Sequence, residues 1–306
     1  MVEQQKTVSL VLSSGGARGL AHVGAIRCLE DMGYQVQFVS GSSMGALVGG
    51  VYATGQLQEY EVWSRALRRS DMMQLMDFGF WSGGGLLKGD RVMAALQELI
   101  GEHQIEQLPI GYTAVATDLH RQREVWLKEG PLFDAIRASI AIPMIFTPVL
   151  RGAHLLVDGG VLNPLPIAPT FNHHTDITVA IDVNCTDACL PENRQPVQEE
   201  HVPPAVDESP ETKRLAVTNF FKQWFTQAEK SDKAEKISKG MLEIAMESMD
   251  AMQVSISRLK SSAYSPDVLV QLPGSIGQIF EFDRAAEFIE LGYQATEEAL
   301  SRQNCD

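Results

Sequence analysis

A serine bracketed by glycines, Gly41-Ser42-Ser43-Met44-Gly45, follows a run in which Val36, Phe38 and Val39 are interleaved with Gln35 and Gln37. That run suits a buried strand and residues 44–53 suit a tightly packed helix, so Ser43 stands on a sharp strand-to-helix turn. In such a turn the serine takes a strained backbone conformation that lifts its hydroxyl clear. Glycines at 41 and 45 remove the Cβ atoms that would collide. The hydroxyl and the N–H of Met44 then lie at a helix N-terminus, where partial positive charge favours a developing anion. The chemistry to expect is nucleophilic attack on a carbonyl. A bare G-x-S-x-G also occurs in ordinary helix-start turns, so the reading depends on what stands beside it.

Upstream, Thr7-Val8-Ser9-Leu10-Val11-Leu12-Ser13 reads as a strand and runs into Ser14-Gly15-Gly16-Ala17-Arg18-Gly19 before a helical pattern starting near Leu20. The backbone N–H groups of residues 15–19 are little encumbered by side chains and can converge on an oxygen anion, as acyl transfer requires at its tetrahedral intermediate. The competing readings are a nucleotide phosphate loop and a plain structural turn. Neither Gly-x-Gly-x-x-Gly nor the Gly-Lys-Ser/Thr of a Walker loop is present.

Downstream, Val157-Asp158-Gly159-Gly160-Val161 follows the apolar His154-Leu155-Leu156 and precedes Asn163-Pro164-Leu165-Pro166. Alone, Asp-Gly-Gly is most often a turn. At a strand end, with Gly159 and Gly160 free of side chains, it lets a carboxylate come close to another backbone.

With a glycine-rich loop, a G-x-S-x-G serine and an Asp-Gly-Gly aspartate in that order, the chain resembles the patatin-like phospholipase family over residues 7–182. Arg137-Ala138-Ser139-Ile140-Ala141-Ile142-Pro143 resembles the family's Ala-Ser-x-Ala-x-Pro segment between serine and aspartate. The resemblance implies an α/β fold, a patatin-like three-layer sandwich with a central, mostly parallel sheet and helices on both faces. It implies Ser43 as nucleophile, Asp158 as its dyad partner, and Gly15, Gly16, Ala17, Arg18 and Gly19 with Met44 as the oxyanion hole. The implied activity is that of a serine lipid acyl hydrolase of phospholipase A or lysophospholipase type, acting through an acyl-Ser43 intermediate. A catalytically weak regulatory or scaffold member of the same family is the alternative, and intact Ser43, Asp158 and loop glycines favour the enzyme.

The residues accommodate the dyad. A desolvated carboxylate gains basicity, so Asp158 can take the serine proton, return it to the leaving alcohol and then activate water. A Ser-His-Asp triad in the order serine, aspartate, histidine would need His173 or His174, which read as a solvated loop pair ahead of the strand-like residues 177–181. His22 reads as a helix-face residue.

Net charge is −14 over 306 residues, which argues against nucleic acid as a partner and offers no broad basic face for anionic lipid. Contact with a membrane surface would be local, apolar and transient. Cys28, Cys185, Cys189 and Cys305 fit reduced thiols, and Cys185 and Cys189 have no matching pair nearby for zinc. No metal, no calcium loop and no cofactor is expected. The first residues pass into a strand with no positively charged and then apolar leader, and no span approaches the ~20 apolar residues that cross a bilayer. A cytoplasmic protein, peripheral to the membrane at most, is the expectation.

The elements needed to position these groups alternate in a βαβα rhythm. Helices are expected at 20–32, 60–69, 91–100 and 284–300, and strands at 112–117, 124–128, 154–157, 177–183 and 268–272. A single domain over 1–306 is expected, with its core at 7–183 and 264–302. A flexible acidic linker covers 190–211 and a helical insertion 212–260, where Phe220, Phe221, Trp224 and Phe225 lie near Lys213, Arg214 and Lys222. That insertion reads first as a helix packing its aromatic side on the domain, and otherwise as a lid or membrane-surface helix or a homodimer interface. The glycine-rich 81–89 reads as irregular.

Overall fold

The computed structural model describes residues 5–68, 85–186 and 240–303. The acidic linker, the four clustered aromatics of the expected insertion, Cys189 and Cys305 lie outside the described residues. The chain divides into two compact units, residues 1–192 with 251–306, and residues 193–250. All that follows concerns the first, save that residues 241–250 open a helix that continues into it.

Strands are β1 (Thr7–Leu12), β2 (Gln35–Ser42), β3 (Gly85–Leu87), β4 (Gly111–Asp118), β5 (Arg123–Leu127), β6 (Met144–Phe146), β7 (Val149–Arg151), β8 (His154–Asp158), β9 (Ile177–Cys185) and β10 (Val268–Pro273). Helices are α1 (Ala21–Asp31), α2 (Met44–Ala53), α3 (Leu57–Ala66), α4 (Asp90–Ile100), α5 (Leu132–Ser139), α6 (Met241–Tyr264) and α7 (Ala285–Gln303). The main sheet runs β10-β9-β1-β2-β4-β8-β7, with β5 on β4. Its first five strands are mutually parallel, whereas β8, β7 and β5 join antiparallel. This is an α/β fold, a mixed and mostly parallel sheet with helices.

Central β1 is buried along all but its first residue, which is why it reads as a continuous apolar run rather than an alternation. Its residues nonetheless divide between two faces. Val8, Leu10 and Leu12 join the large core with α1, α2 and α7, while Val11 packs in a smaller cluster with Leu165, Ile167 and Ala180, against which Tyr264 at the end of α6 rests. All ten residues of α2 are buried, so it lacks a polar face.

Several elements escaped the sequence. The loop expected at 81–89 contains β3, which pairs with β6 in a two-stranded sheet of its own. Helix α5 leads into the Ala-Ser-x-Ala-x-Pro segment and ends at its serine, Ser139, and its eight residues give a weak periodic signal. Helix α6 ends at Tyr264 rather than 260. Among the described residues no helix is long and apolar enough to cross a membrane.

Candidate active site

The carboxyl ends of parallel β1 and β2 lie side by side, Leu12 paired with Gly41, and both strands turn there into helical elements. Ser43 occupies the second turn with φ 54 and ψ −121 and is 4 % exposed. Such a conformation is costly for a residue with a Cβ, by about 1–3 kcal/mol, and needs its surroundings to impose it. They do so by close approach. A Cβ on Gly41 would run into the Gly45 carbonyl, and one on Gly45 into the carbonyls of Leu12 and Ser13, so α2 can start only where it does. The Ser43 N–H donates to Ser139 Oγ at 2.9 Å, and that hydroxyl donates to the Val115 carbonyl at 2.6 Å. The serine of the Ala-Ser-x-Ala-x-Pro segment thus ties the turn to β4. Tyr112 secures the next turn of the helix, its hydroxyl donating to the Ala46 carbonyl at 2.7 Å.

Asp158 ends β8, paired with Ala116 of β4, and is 1 % exposed. Its N–H donates to the Ala141 carbonyl at 2.9 Å, and its Oδ1 accepts the Gly160 N–H at 2.7 Å. Burial pushes its carboxyl up to about 7, against the pull of Ser43 and of the Gly160 N–H. The Ser43 hydroxyl is therefore near enough to favour the carboxylate, while Oδ2 carries no fully formed hydrogen bond. Gly159 makes the approach of β8 possible, because a Cβ there would meet the Val115 carbonyl and Ser42 Oγ.

The loop after β1 leads into a short 3-10 helix, Gly16–Leu20. Its N–H groups have different fates. Ser14 donates to the Pro164 carbonyl and Ala17 to the Ile279 carbonyl, both at 2.8 Å. Between them the N–H groups of Gly15 and Gly16 have no partner among the described residues. Gly15 has ψ 10, which brings its N–H and the next to one side of the chain, and Gly16 follows with φ 55. The Arg18 side chain turns away from Ser43, donating to the carbonyls of Gly15 and Gly274 and to Asn184 Oδ1. Gly19 lies against the Met44 side chain, and Gly160 against Gln253 and Ser14.

From Ser43 a cavity of about 110 Å³ opens among Leu47, Trp63, Leu96, Ile142, Phe146 and Phe282. The described residues of its wall are apolar apart from Ser43, Tyr60 and Ser64. One wall, Ile279, Phe280 and Phe282, belongs to the segment between β10 and α7, to which no sequence motif pointed. Gln253 of α6 was missed as well, although its Oε1 accepts the Ser14 hydroxyl at 2.8 Å.

Among the described residues no histidine bonds Ser43 or Asp158, although His22 holds the loop after β1. His22 is fully buried and held neutral, its pKa pushed down by burial to about 4. Its Nε2 lies 2.9 Å from the Ser13 carbonyl, which can only accept, so Nε2 carries the proton. His173 stacks on Phe38, with ring centroids 3.5 Å apart, about 16 Å of strand before Ser43.

Residues 10–171 match the family described as Patatin-like phospholipase. Along almost its whole length the chain is similar to an uncharacterized NTE family protein of Mycobacterium tuberculosis, at 35% identity over 98% of this chain and 92% of the relative. It is 30% identical to lysophospholipase nte1 of Emericella nidulans across 61% of this chain, a match that takes in 12% of that larger protein. Among solved structures it is similar to VipD from Legionella pneumophila, with a TM-score of 0.46 at 12% identity, over 98% of this chain and 67% of that one.

Proposed function

This chain belongs to the patatin-like phospholipase family, and from that premise we propose that it is a serine lipid acyl hydrolase in which Ser43 and Asp158 form the dyad. The observation that carries the reading is Ser43 itself. It is a buried serine held at φ 54, facing a carboxyl that burial has made basic, at the mouth of an apolar cavity.

In this reading a fatty acyl chain lies in the cavity and presents its ester carbonyl to Ser43 Oγ. The oxygen attacks the carbonyl carbon while its proton passes to the Asp158 carboxylate. Negative charge gathers on the carbonyl oxygen, where the N–H groups of Gly15 and Gly16, and of Met44 at the start of α2, are the available donors. The tetrahedral intermediate collapses, the leaving alcohol takes the proton from Asp158, and the acyl group remains on Ser43. Water then attacks the acyl carbon while Asp158 takes its proton, and as the fatty acid leaves, that proton passes from Asp158 to Ser43 Oγ, restoring the hydroxyl and the carboxylate.

Phospholipids and lysophospholipids are the proposed substrates, the latter in line with the name of the nte1 relative. Transient contact with a lipid surface belongs to the same reading, because Phe280 of the cavity wall is 50% exposed.

The test is hydrolysis of a lysophospholipid and of acyl esters of graded length by wild type and Ser43→Ala in one assay. Long-chain hydrolysis that falls at least about ten-thousandfold in Ser43→Ala is expected. Equal activity in both proteins rules out the mechanism.

A further inference from the structure

Three successive carbonyls of the loop after β1 are each held by a side chain. Ser13 O accepts from His22 Nε2, Ser14 O from Asn184 Nδ2 and the Ser13 hydroxyl, and Gly15 O from Arg18 Nε at 3.3 Å. In a trans peptide the C=O and the following N–H point in opposite directions. A hand on the Ser14 carbonyl therefore aims the Gly15 N–H, and a hand on the Gly15 carbonyl aims the Gly16 N–H. These are the two N–H groups of this loop that have no partner among the described residues.

Asn184 stands at the end of β9, is 1 % exposed, and reaches the loop from 170 residues further along the chain. The network fixes which way its amide points. Arg18 Nη2 lies 2.8 Å away and has no acceptor to offer, so the atom it meets is Oδ1, and Nδ2 is left facing Ser14 O. Arg18 is held in turn by the Gly274 carbonyl at 3.0 Å, and the Asn184 N–H by Asp182 Oδ1 at 3.1 Å. We propose that Asn184, working with Arg18, is a positioning residue that aims the Gly15 and Gly16 N–H groups at the oxyanion. The inference rests on the reading of that loop given under the proposed function.

The two sides of Asn184 call for different substitutions. Asn184→Asp keeps size and an acceptor for Arg18, but sets a carboxylate against the Ser14 carbonyl. Asn184→Ala removes both contacts, and Arg18→Lys keeps the charge without the Nε that holds Gly15 O. Each full-length variant is compared with wild type and Ser43→Ala in three readouts. These are kcat and KM on a p-nitrophenyl ester, the rate of covalent labelling by a fluorophosphonate, whose P–O oxygen needs the same donors, and the affinity for a fluorescent fatty acid.

For Asn184→Asp we expect kcat and the labelling rate to fall together by roughly a hundredfold, with KM and fatty-acid affinity within about threefold of wild type. Arg18→Lys should show the same pattern at roughly a tenfold loss. The inference is overturned if either Asn184 variant keeps wild-type kcat and labelling while Ser43→Ala is inactive, an outcome that leaves the serine mechanism standing. It is overturned equally if every soluble variant loses fatty-acid affinity in step with kcat, since that marks a general collapse. Undiminished hydrolysis by Ser43→Ala would instead bring down the reading on which it rests.

Discussion

The turns after β1 and β2 leave adjacent strands at one edge of the sheet, yet they are held in opposite ways. The second carries a residue with a Cβ at positive φ, and the glycines that make room for it lie within two positions, at Gly41 and Gly45, with one distant hold on its N–H from Ser139. The first has two adjacent glycines and could adopt many shapes, so side chains must choose one, Asn184 among them from 170 positions away. A strained turn carries its own cause, whereas a permissive one borrows it.

Asp158→Asn strikes where the strained turn meets its partner, and the largest change among these predictions is expected there. Activity should drop by about 10²–10⁴-fold with Ser43 still in place. In the wild type kcat/KM should rise with pH around 7, because Asp158 must be ionised to accept a proton and burial has pushed its pKa up to about 7. Stability responds with the opposite sign. The folded state holds this proton more tightly than the unfolded chain, so the group contributes most below about pH 4 and the benefit is lost as pH rises toward 7. Asp158→Asn removes that loss, and its Tm at pH 8 should exceed that of the wild type by a few degrees. A pH–rate profile flat from 5 to 9 would sink the assignment of the base.

Ser139→Ala tests whether the strained turn is as self-sufficient as the comparison holds. The Ser43 N–H and the Val115 carbonyl both lose a buried partner, which should cost about 1–3 kcal/mol of stability in denaturant titration and about tenfold in kcat. Unchanged kcat would show that the glycines suffice. A smaller effect is expected from Phe146→Ala in the cavity wall, where the preference among acyl chain lengths should move by roughly threefold to tenfold at constant kcat on the shortest ester.

What could be read from the chain follows the same division. The strands before each turn and the aspartate at the end of β8 announced themselves through apolar runs and turn residues that are close in sequence. Ser139 was visible as part of a motif, but not as the acceptor beneath Ser43, since its partner lies 96 positions away. Asn184 left one faint signal, a polar residue just past an expected strand on the edge where parallel strands gather ligands. Gln253 and Ile279 left none, because their contacts with residues 14–17 join segments that share no local pattern.

The place of β1 between β2 and β9 also sets a timetable. Strand β2 emerges from the ribosome almost together with β1, while Asn184 follows Ser14 by 170 residues, about 10–30 s of synthesis. Through that interval β1 has one strand edge unpaired and its first turn unbraced, while the strained serine beside it already has Gly41 and Gly45 in place. The nascent chain therefore exposes an apolar edge that calls for shielding, and the loop beside the nucleophile is the last part of the site to gain its support.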